Sequence, residues 1–385
     1  MFSHLSASLN ETLPDYPITD SNLPFADYIA RTRKIIEERR LDLLDENSHP
    51  QKIISANSPY ELIPSNPILS GKRYKYGALL IHGLLDSPFS LRDIGNHLQN
   101  HGILSRSILL PGHGTNPADL LHVSYHDWIQ AVRYGVESLR KEVEHIYLIG
   151  YSTGATLSIY QAQHDNQIAG IILLSPAIRI KAPIDFVVAW NRFSTWFMHN
   201  KPWLYLGKEV DYVKYQSITF NAVNQVSQLT KTIRDILQQR SFLTPMYMVI
   251  SREDETVSSH RAIDFFSSLR NSESKMLLYT SYDHLYPDQR IMTRLTNYPD
   301  LNIKHLSHIC IPFSPTNPHY GQEGDSYNAS RINKKIVYGA YNRIERRTYE
   351  IMNQLKLLKY QYKELTYNPD FDAMATDIEQ FILGR

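Results

Sequence analysis

An α/β fold, with a mostly parallel central sheet flanked by helices, is what this sequence predicts. Two observations predict it. From Tyr76 to Leu174 short apolar runs alternate with amphipathic ones across short loops, a rhythm that builds parallel strands with crossover helices. Inside that rhythm sits Gly150-Tyr151-Ser152-Thr153-Gly154. An apolar strand-like run, His145 to Ile149, precedes it, and an apolar, alanine-containing run, Ala155 to Ala162, follows it as a helix. A serine between two glycines, at the junction of a strand and a helix, occupies a strained turn that lifts its hydroxyl clear of the sheet.

Taken in order, residues 1–22 read as irregular. Pro24 to Leu44 carries Phe25, Tyr28, Ile29, Ile35, Ile36, Leu41 and Leu44 at helical spacing among many charges, so an amphipathic helix is expected. Its polar face mixes acidic and basic residues, which favours packing on the main domain over a membrane surface. Asn47 to Gly71 is rich in Pro, Ser and Asn and reads as a linker or loop. Gly77 to Ile81 is a buried strand, Ser87 to Gly102 a capped helix and Leu104 to Leu110 the next strand. Tyr125 to Val143 is a long amphipathic helix, and Ala169 to Leu174 another buried strand.

From Ala177 to Phe242 the alternation breaks into a helical pattern loaded with aromatics, including Trp190, Phe193, Trp196 and Phe197. This reads as a cap inserted over the sheet. Its aromatics divide between the cap's own core and the wall of an apolar acyl-binding pocket. Met246 to Ile250 resumes the sheet, a helix runs on to Leu269, and Lys275 to Thr280 is one more strand. Arg290 to Tyr320 is extended and punctuated by proline. Lys334 to Tyr362 reads as a tyrosine- and lysine-rich helix, and Phe371 to Leu383 as a closing helix. The resulting division is a helical extension and linker over 1–70, a first core part over 71–176, the cap over 177–243 and, over 244–385, a second core part with a C-terminal helical extension.

With 385 residues, 42% of them apolar, and a formal net charge of +1, nothing in the balance calls for nucleic acid or an anionic membrane as partner. The single cysteine, Cys310, excludes an internal disulfide framework and a multi-thiolate metal site, and fits a reducing compartment. The N-terminus lacks a basic segment followed by a long apolar core, so a Sec signal peptide is not expected. No window approaches 18 uninterrupted apolar residues, so no spanning helix is expected. A cytoplasmic location is the default expectation. Export by a route that ignores the N-terminus, and peripheral membrane contact, stay open.

A serine hydroxyl needs a general base, usually histidine, oriented by a carboxylate. On sheets of this kind the carboxylate and then the histidine follow the serine along the chain. Asp254 comes directly after the strand 246–250 and would share the sheet edge with Ser152. Glu253 and Glu255 beside it read as solvated, and the bland role for Asp254 is a helix N-cap. Two histidines compete as base. His284 follows the strand 275–280 at a natural distance but sits in a turn of Tyr282, Asp283, Tyr286, Pro287 and Asp288. His308 precedes Ile309-Cys310-Ile311-Pro312, which could bury and orient an imidazole. The residues alone leave that choice open. Donors for an oxyanion come from backbone: the N–H of Thr153 at the helix start and, after the first strand, that of Leu84. His82 and His113 read as loop-shaping histidines.

His82-Gly83-Leu84, Leu110-Pro-Gly-His-Gly-Thr115, Gly150-Tyr-Ser-Thr-Gly154 and Asp254-Glu-Thr-Val257, in that order, resemble the α/β-hydrolase carboxylesterases and monoacylglycerol lipases, including bacterial lysophospholipases. The resemblance covers about residues 75 to 310. It implies an inserted helical cap, no cofactor and no metal, a triad of Ser152, Asp254 and a histidine, and an oxyanion hole from Leu84 and Thr153. After Thr280 the chain departs from the common pattern. Leu306-Ser-His308, followed by a proline-rich Asn317-Pro-His-Tyr-Gly321 loop, looks like a bacterial subgroup and favours His308 over His284. The expected activity is hydrolysis of carboxylic esters, of a mono-acyl lipid above all. Thioesterase, peptidase and acyl-transfer chemistry use the same triad, and a non-catalytic binding protein on this fold is the rival from another class.

Overall fold

The computed structural model describes residues 14–18, 20, 22–40, 49–178, 202–283, 286–328, 336–341, 348–349, 352 and 361–384. The chain divides into two compact units, Met1–Ile171 with Ala182–Thr244, and Ile172–Lys181 with Pro245–Arg385.

In the first unit, helix α1 (Phe25–Arg39) buries Phe25, Tyr28, Thr32 and Ile36, the one-face spacing of an amphipathic helix. It packs on its own unit. Tyr28 lies 4.8 Å from the Tyr134 ring, and its hydroxyl accepts from the Leu109 N–H at 3.0 Å. Helix α2 (Pro50–Asn57), begun by proline at its first turn, buries Ile53 and Ile54. Strands β1 (Tyr60–Leu62), β2 (Leu69–Ser70) and β3 (Arg73–Ile81) follow. Of the stretch 47–71, expected as loop, residues 50–57, 60–62 and 69–70 thus form regular elements. The Pro, Ser and Asn residues that signalled a loop serve only as breaks between short elements. A 3₁₀ turn (Pro88–Leu91) leads into α3 (Arg92–Asn100), where one helix was expected. Then come β4 (Leu104–Ile108) and α4 (Tyr125–Arg140). In a capping box the Ser124 hydroxyl and the Asp127 carboxylate each accept from the other's backbone N–H. Strand β5 (Val143–Tyr151) runs into α5 (Thr153–His164).

Within this unit the strand order is β1-β4-β3-β5. β3 is parallel to both β4 and β5, while β1 and β2 join antiparallel. Residues 76–81 of β3 are all buried, as expected of a strand covered on both faces. The pairing Ile81↔Gly150 brings the carboxyl ends of β3 and β5 level. That register sets the His82 loop beside Ser152.

Strand β6 (Ile168–Leu174) passes from the first unit to the second. The described part of the cap region holds a two-stranded antiparallel ribbon, β7 (Trp203–Tyr205) with β8 (Ile218–Thr219), before helix α6 (Phe220–Gln239). Its pattern was expected to be helical throughout. The Asn221 side-chain amide donates to the carbonyls of Leu120 and Val123 at 2.9 and 2.8 Å, tying α6 to the segment before α4.

The second unit carries β9 (Met246–Ser251), α7 (Ser259–Ser267), β10 (Lys275–Thr280) and β11 (Ile291–Leu295). β10 pairs parallel with β9 and with β11. β12 (Ile336–Gly339) and β13 (Gln361–Glu364) form a separate parallel pair. The helix expected over 334–362 is thus corrected at both ends, and most of its middle lies outside the described residues. Ile336, Val337 and Tyr338 favour a strand, but four residues are too few to override the pattern of the longer stretch around them. Helix α8 (Phe371–Leu383) closes the chain, with Gly384 left-handed after it. Arg294 joins it to β11 through Asp370 and Asp377 at 2.7 and 2.6 Å. Among the described residues, no helix is long and apolar enough to cross a membrane.

Candidate active site

Ser152 is the N-cap of α5 at φ 53°, ψ −110°, a region that costs a non-glycine residue of order 1–3 kcal/mol. The flanking glycines explain how so tight a turn closes. A Cβ on Gly150 would lie 2.3 Å from the Gly154 carbonyl oxygen, and one on Gly154 2.0 Å from that of Ile81. No side chain fits at either place. Thr153, the first residue of α5, has an N–H without an acceptor inside the helix, at the positive end of the helix dipole. Gly83 lets the β3 loop run against the serine, since a Cβ there would be 3.3 Å from Ser152 Cβ. Leu84 follows, and Leu85 takes φ 63° with its carbonyl accepting from the Tyr215 N–H at 2.8 Å.

His82 and His113 hold the base of this loop. The Leu110 N–H donates to His82 Nε2 at 3.0 Å, so Nδ1 carries the proton and gives it to the Gly83 carbonyl at 2.8 Å. The two imidazoles meet edge to face, with centroids 5.0 Å apart. Burial pushes His82 down to about 4 and His113 down to about 3, the latter helped by its neighbour. A folded pKa below the unfolded value of 6.5 means that the unfolded chain binds more protons in between. Stability should therefore be full above pH 6.5 and fall as the pH drops toward 4. For His82 alone the loss approaches ~3 kcal/mol. Urea denaturation between pH 7.5 and 4.5 checks this. His82→Gln should decline less steeply than the parent, and parallel declines would remove His82 from the account.

In the second unit Asp254 is fully buried directly after β9. One of its oxygens accepts from the N–H groups of Thr256 and Val257, both at 2.8 Å. The other lies 2.7 Å from Nδ1 of the buried His308. A carboxylate at Nδ1 keeps the proton on that nitrogen and the basic lone pair on Nε2. The N-cap of α7 is Ser258, so capping that helix is not the role of Asp254. Glu253 and Glu255, expected in solvent, are half-buried and engaged. Glu253 accepts from the Ser281 N–H and hydroxyl at 3.1 and 2.8 Å, and Glu255 from the His308 N–H at 3.0 Å. Burial, with the charges of Asp254 and Glu364 nearby, pushes Glu255 well above the usual carboxylate range. Ser251 and Ser307 fix the His308 segment, donating to the carbonyls of Leu306 and Leu365 at 2.8 and 2.6 Å. Burial likewise pushes the Cys310 thiol up, which leaves it an inert core residue.

Ser152, Thr153 and Leu84 thus come together in the first unit, and Asp254 with His308 in the second. His284, Trp190, Phe193, Trp196 and Phe197 lie outside the described residues. Sequence reasoning did not single out Tyr215, Arg40 or the inward turn of Glu255, and no local pattern marks them.

Residues 75–286 match the family model for serine aminopeptidase, S33. The chain belongs to this family of α/β hydrolases. The S33 match ends before His308, so that histidine comes from a part of the chain the model does not cover. A thermostable monoacylglycerol lipase of Bacillus sp. (strain H-257) is 26% identical over 223 residues, 56% of this chain and 88% of that protein. A carboxylesterase of Bacillus subtilis (strain 168) is 22% identical over 211 residues, 54% and 83%. Among solved structures, the monoacylglycerol lipase of Paleococcus ferrophilus is 18% identical and aligns over 60% of this chain and 92% of that one, with a TM-score of 0.47.

Proposed function

We propose that this S33 hydrolase cleaves carboxylic esters, mono-acyl lipids above all, through an acyl-enzyme on Ser152. One observation carries the reading: a serine at positive φ between two glycines, capping the helix that begins at Thr153. A backbone held in that state is maintained for its hydroxyl rather than for stability. Ester hydrolysis as the reaction class is supported by the lipase and carboxylesterase relatives. The acyl-lipid substrate is the narrower step, and the aromatic segment 177–243 is proposed as the cap that receives the acyl chain.

In the proposed cycle His308 Nε2 takes the Ser152 proton as the oxygen bonds to the ester carbonyl carbon. Asp254 stabilises the resulting imidazolium through Nδ1–H. The N–H groups of Leu84 and Thr153 hold the oxyanion. Collapse breaks the carbon–oxygen bond to the alcohol, which leaves with the proton from His308. Water, activated by the same imidazole, then releases the acid.

The test is a substrate panel on the full chain. p-Nitrophenyl esters of graded chain length, a monoacylglycerol and a lysophosphatidylcholine are compared with aminoacyl p-nitroanilides. We expect kcat/KM at least ~100-fold higher for the mono-acyl esters than for the anilides. Turnover confined to the anilides would instead make the chain a peptidase.

A further inference from the structure

We propose that Arg40, at the end of α1 and outside the S33 match, is a positioning residue for the oxyanion loop, acting through the segment Tyr212–Tyr215. The inference rests on the hydrolase reading above and concerns how Leu84 is held in place.

Arg40 is 6% exposed, and its guanidinium joins three separate stretches of chain. One terminal nitrogen donates to Asn57 Oδ1 at 2.8 Å and reaches the Gly114 carbonyl at 3.4 Å. The other donates to the Tyr212 carbonyl at 2.8 Å. Asn57, fully buried, donates its side-chain amide to that same Tyr212 carbonyl at 2.8 Å. The 212 carbonyl is thereby fixed from two sides by groups on the N-terminal segment. A planar fork suits such a junction, since its nitrogens reach acceptors in set directions, as a flexible ammonium cannot.

Three residues on, Tyr215 passes the constraint to the site. Its N–H donates to the Leu85 carbonyl at 2.8 Å. Its hydroxyl accepts from the Thr115 N–H at 2.7 Å, and its ring stacks on His113 with planes 7° apart. Leu85 sits at φ 63°, which this hydrogen bond helps to hold. Leu84 comes just before it, and the Leu84 N–H, in the Gly83–Leu84 peptide, is the proposed oxyanion donor; with the Leu85 carbonyl anchored, that peptide has less room to turn. Tyr16 adds to the hold, accepting from the Gly112 N–H at 3.1 Å. Arg39 does so too, pairing at 2.7 Å with Asp119, which accepts from the Thr115 hydroxyl at 2.6 Å. The N-terminal segment therefore holds the 112–119 stretch directly and the Leu85 carbonyl through Tyr212–Tyr215.

A positioning role has a distinct kinetic signature. An oxyanion donor out of place weakens the transition state and leaves ground-state binding alone. The experiment compares the parent with Arg40→Ala, Arg40→Lys and Tyr215→Phe below their melting temperatures. Readouts are kcat and KM on a p-nitrophenyl ester, and affinity for a boronic acid, which forms a tetrahedral adduct on serine. For Arg40→Ala we expect kcat about 30-fold down with KM little changed, and boronate affinity reduced by the same factor. Arg40→Lys should recover part of the loss. Tyr215→Phe should lose kcat about 10-fold, with less than additive loss in the double variant. Unchanged kcat and boronate affinity in the folded variants would overturn the proposal, as would a pure rise in KM. Should Arg40→Ala not fold, Arg40→Lys and Tyr215→Phe decide on the same criteria. A parent that neither turns over esters nor binds boronate would sink the hydrolase reading instead.

Discussion

Replacing Ser152 with alanine is expected to lower kcat on p-nitrophenyl esters by about 10⁴- to 10⁶-fold and to abolish labelling by a fluorophosphonate. The size follows from the proposed chemistry. Without the hydroxyl there is no acyl-enzyme, and only oxyanion binding and substrate orientation remain to speed attack by water. Alanine keeps the Cβ and therefore the same backbone strain at φ 53°, so the melting temperature should not move. That pairing, activity gone and stability kept, separates loss of a nucleophile from loss of a fold. Measuring both on the same preparation checks it. Labelling of the alanine variant equal to the parent's would place the reactive group elsewhere and end the Ser152 reading.

The parts of this molecule legible in the sequence are those whose cause is local. Gly150 and Gly154 are demanded by close approaches within the turn and to the end of β3, so their spacing around the serine carries the geometry in five residues. β3 announces itself because its buried run is apolar throughout, and α8 because its period and its terminal Gly384 agree. What could not be read depends on partners far along the chain. Arg40 and Tyr212 stand 172 residues apart, and nothing beside an arginine at a helix end tells it that it will be buried. β12 and β13 are strands because each meets the other; Ile336, Val337 and Tyr338 suit a strand, but runs of four residues are too short to stand out within a tyrosine- and lysine-rich stretch. Glu255 reads as a surface acid in an acidic run, yet the fold turns its carboxylate to the His308 N–H. His308 meets the Asp254 carboxylate 54 positions away in the chain, a pairing that only the fold displays.

Asp254→Asn is expected to lower kcat by about 10⁴-fold near neutral pH with the fold intact. The hydrogen bonds of Asp254 set the outcome. Two backbone N–H groups, of Thr256 and Val257, converge on one carboxylate oxygen, and asparagine can meet both only with its carbonyl. Its amide nitrogen must then face His308 Nδ1, 2.7 Å away from the present oxygen. An NH₂ group there is a donor, so Nδ1 must accept and the imidazole proton moves to Nε2. The histidine keeps its place and holds the wrong tautomer, unable to take a proton from serine. Glu255 provides the contrast. Burial with Asp254 and Glu364 nearby favours its neutral form, and a neutral amide can accept from the His308 N–H as the acid does. Glu255→Gln should therefore leave kcat within about threefold of the parent, as expected for a hydrogen bond that survives substitution. Steady-state rates at pH 7 to 8 for the two variants, with the nitrogen-bound imidazole protons followed by NMR, check both claims. Equal losses in the two would mean that charge around His308, and not its tautomer, governs the rate.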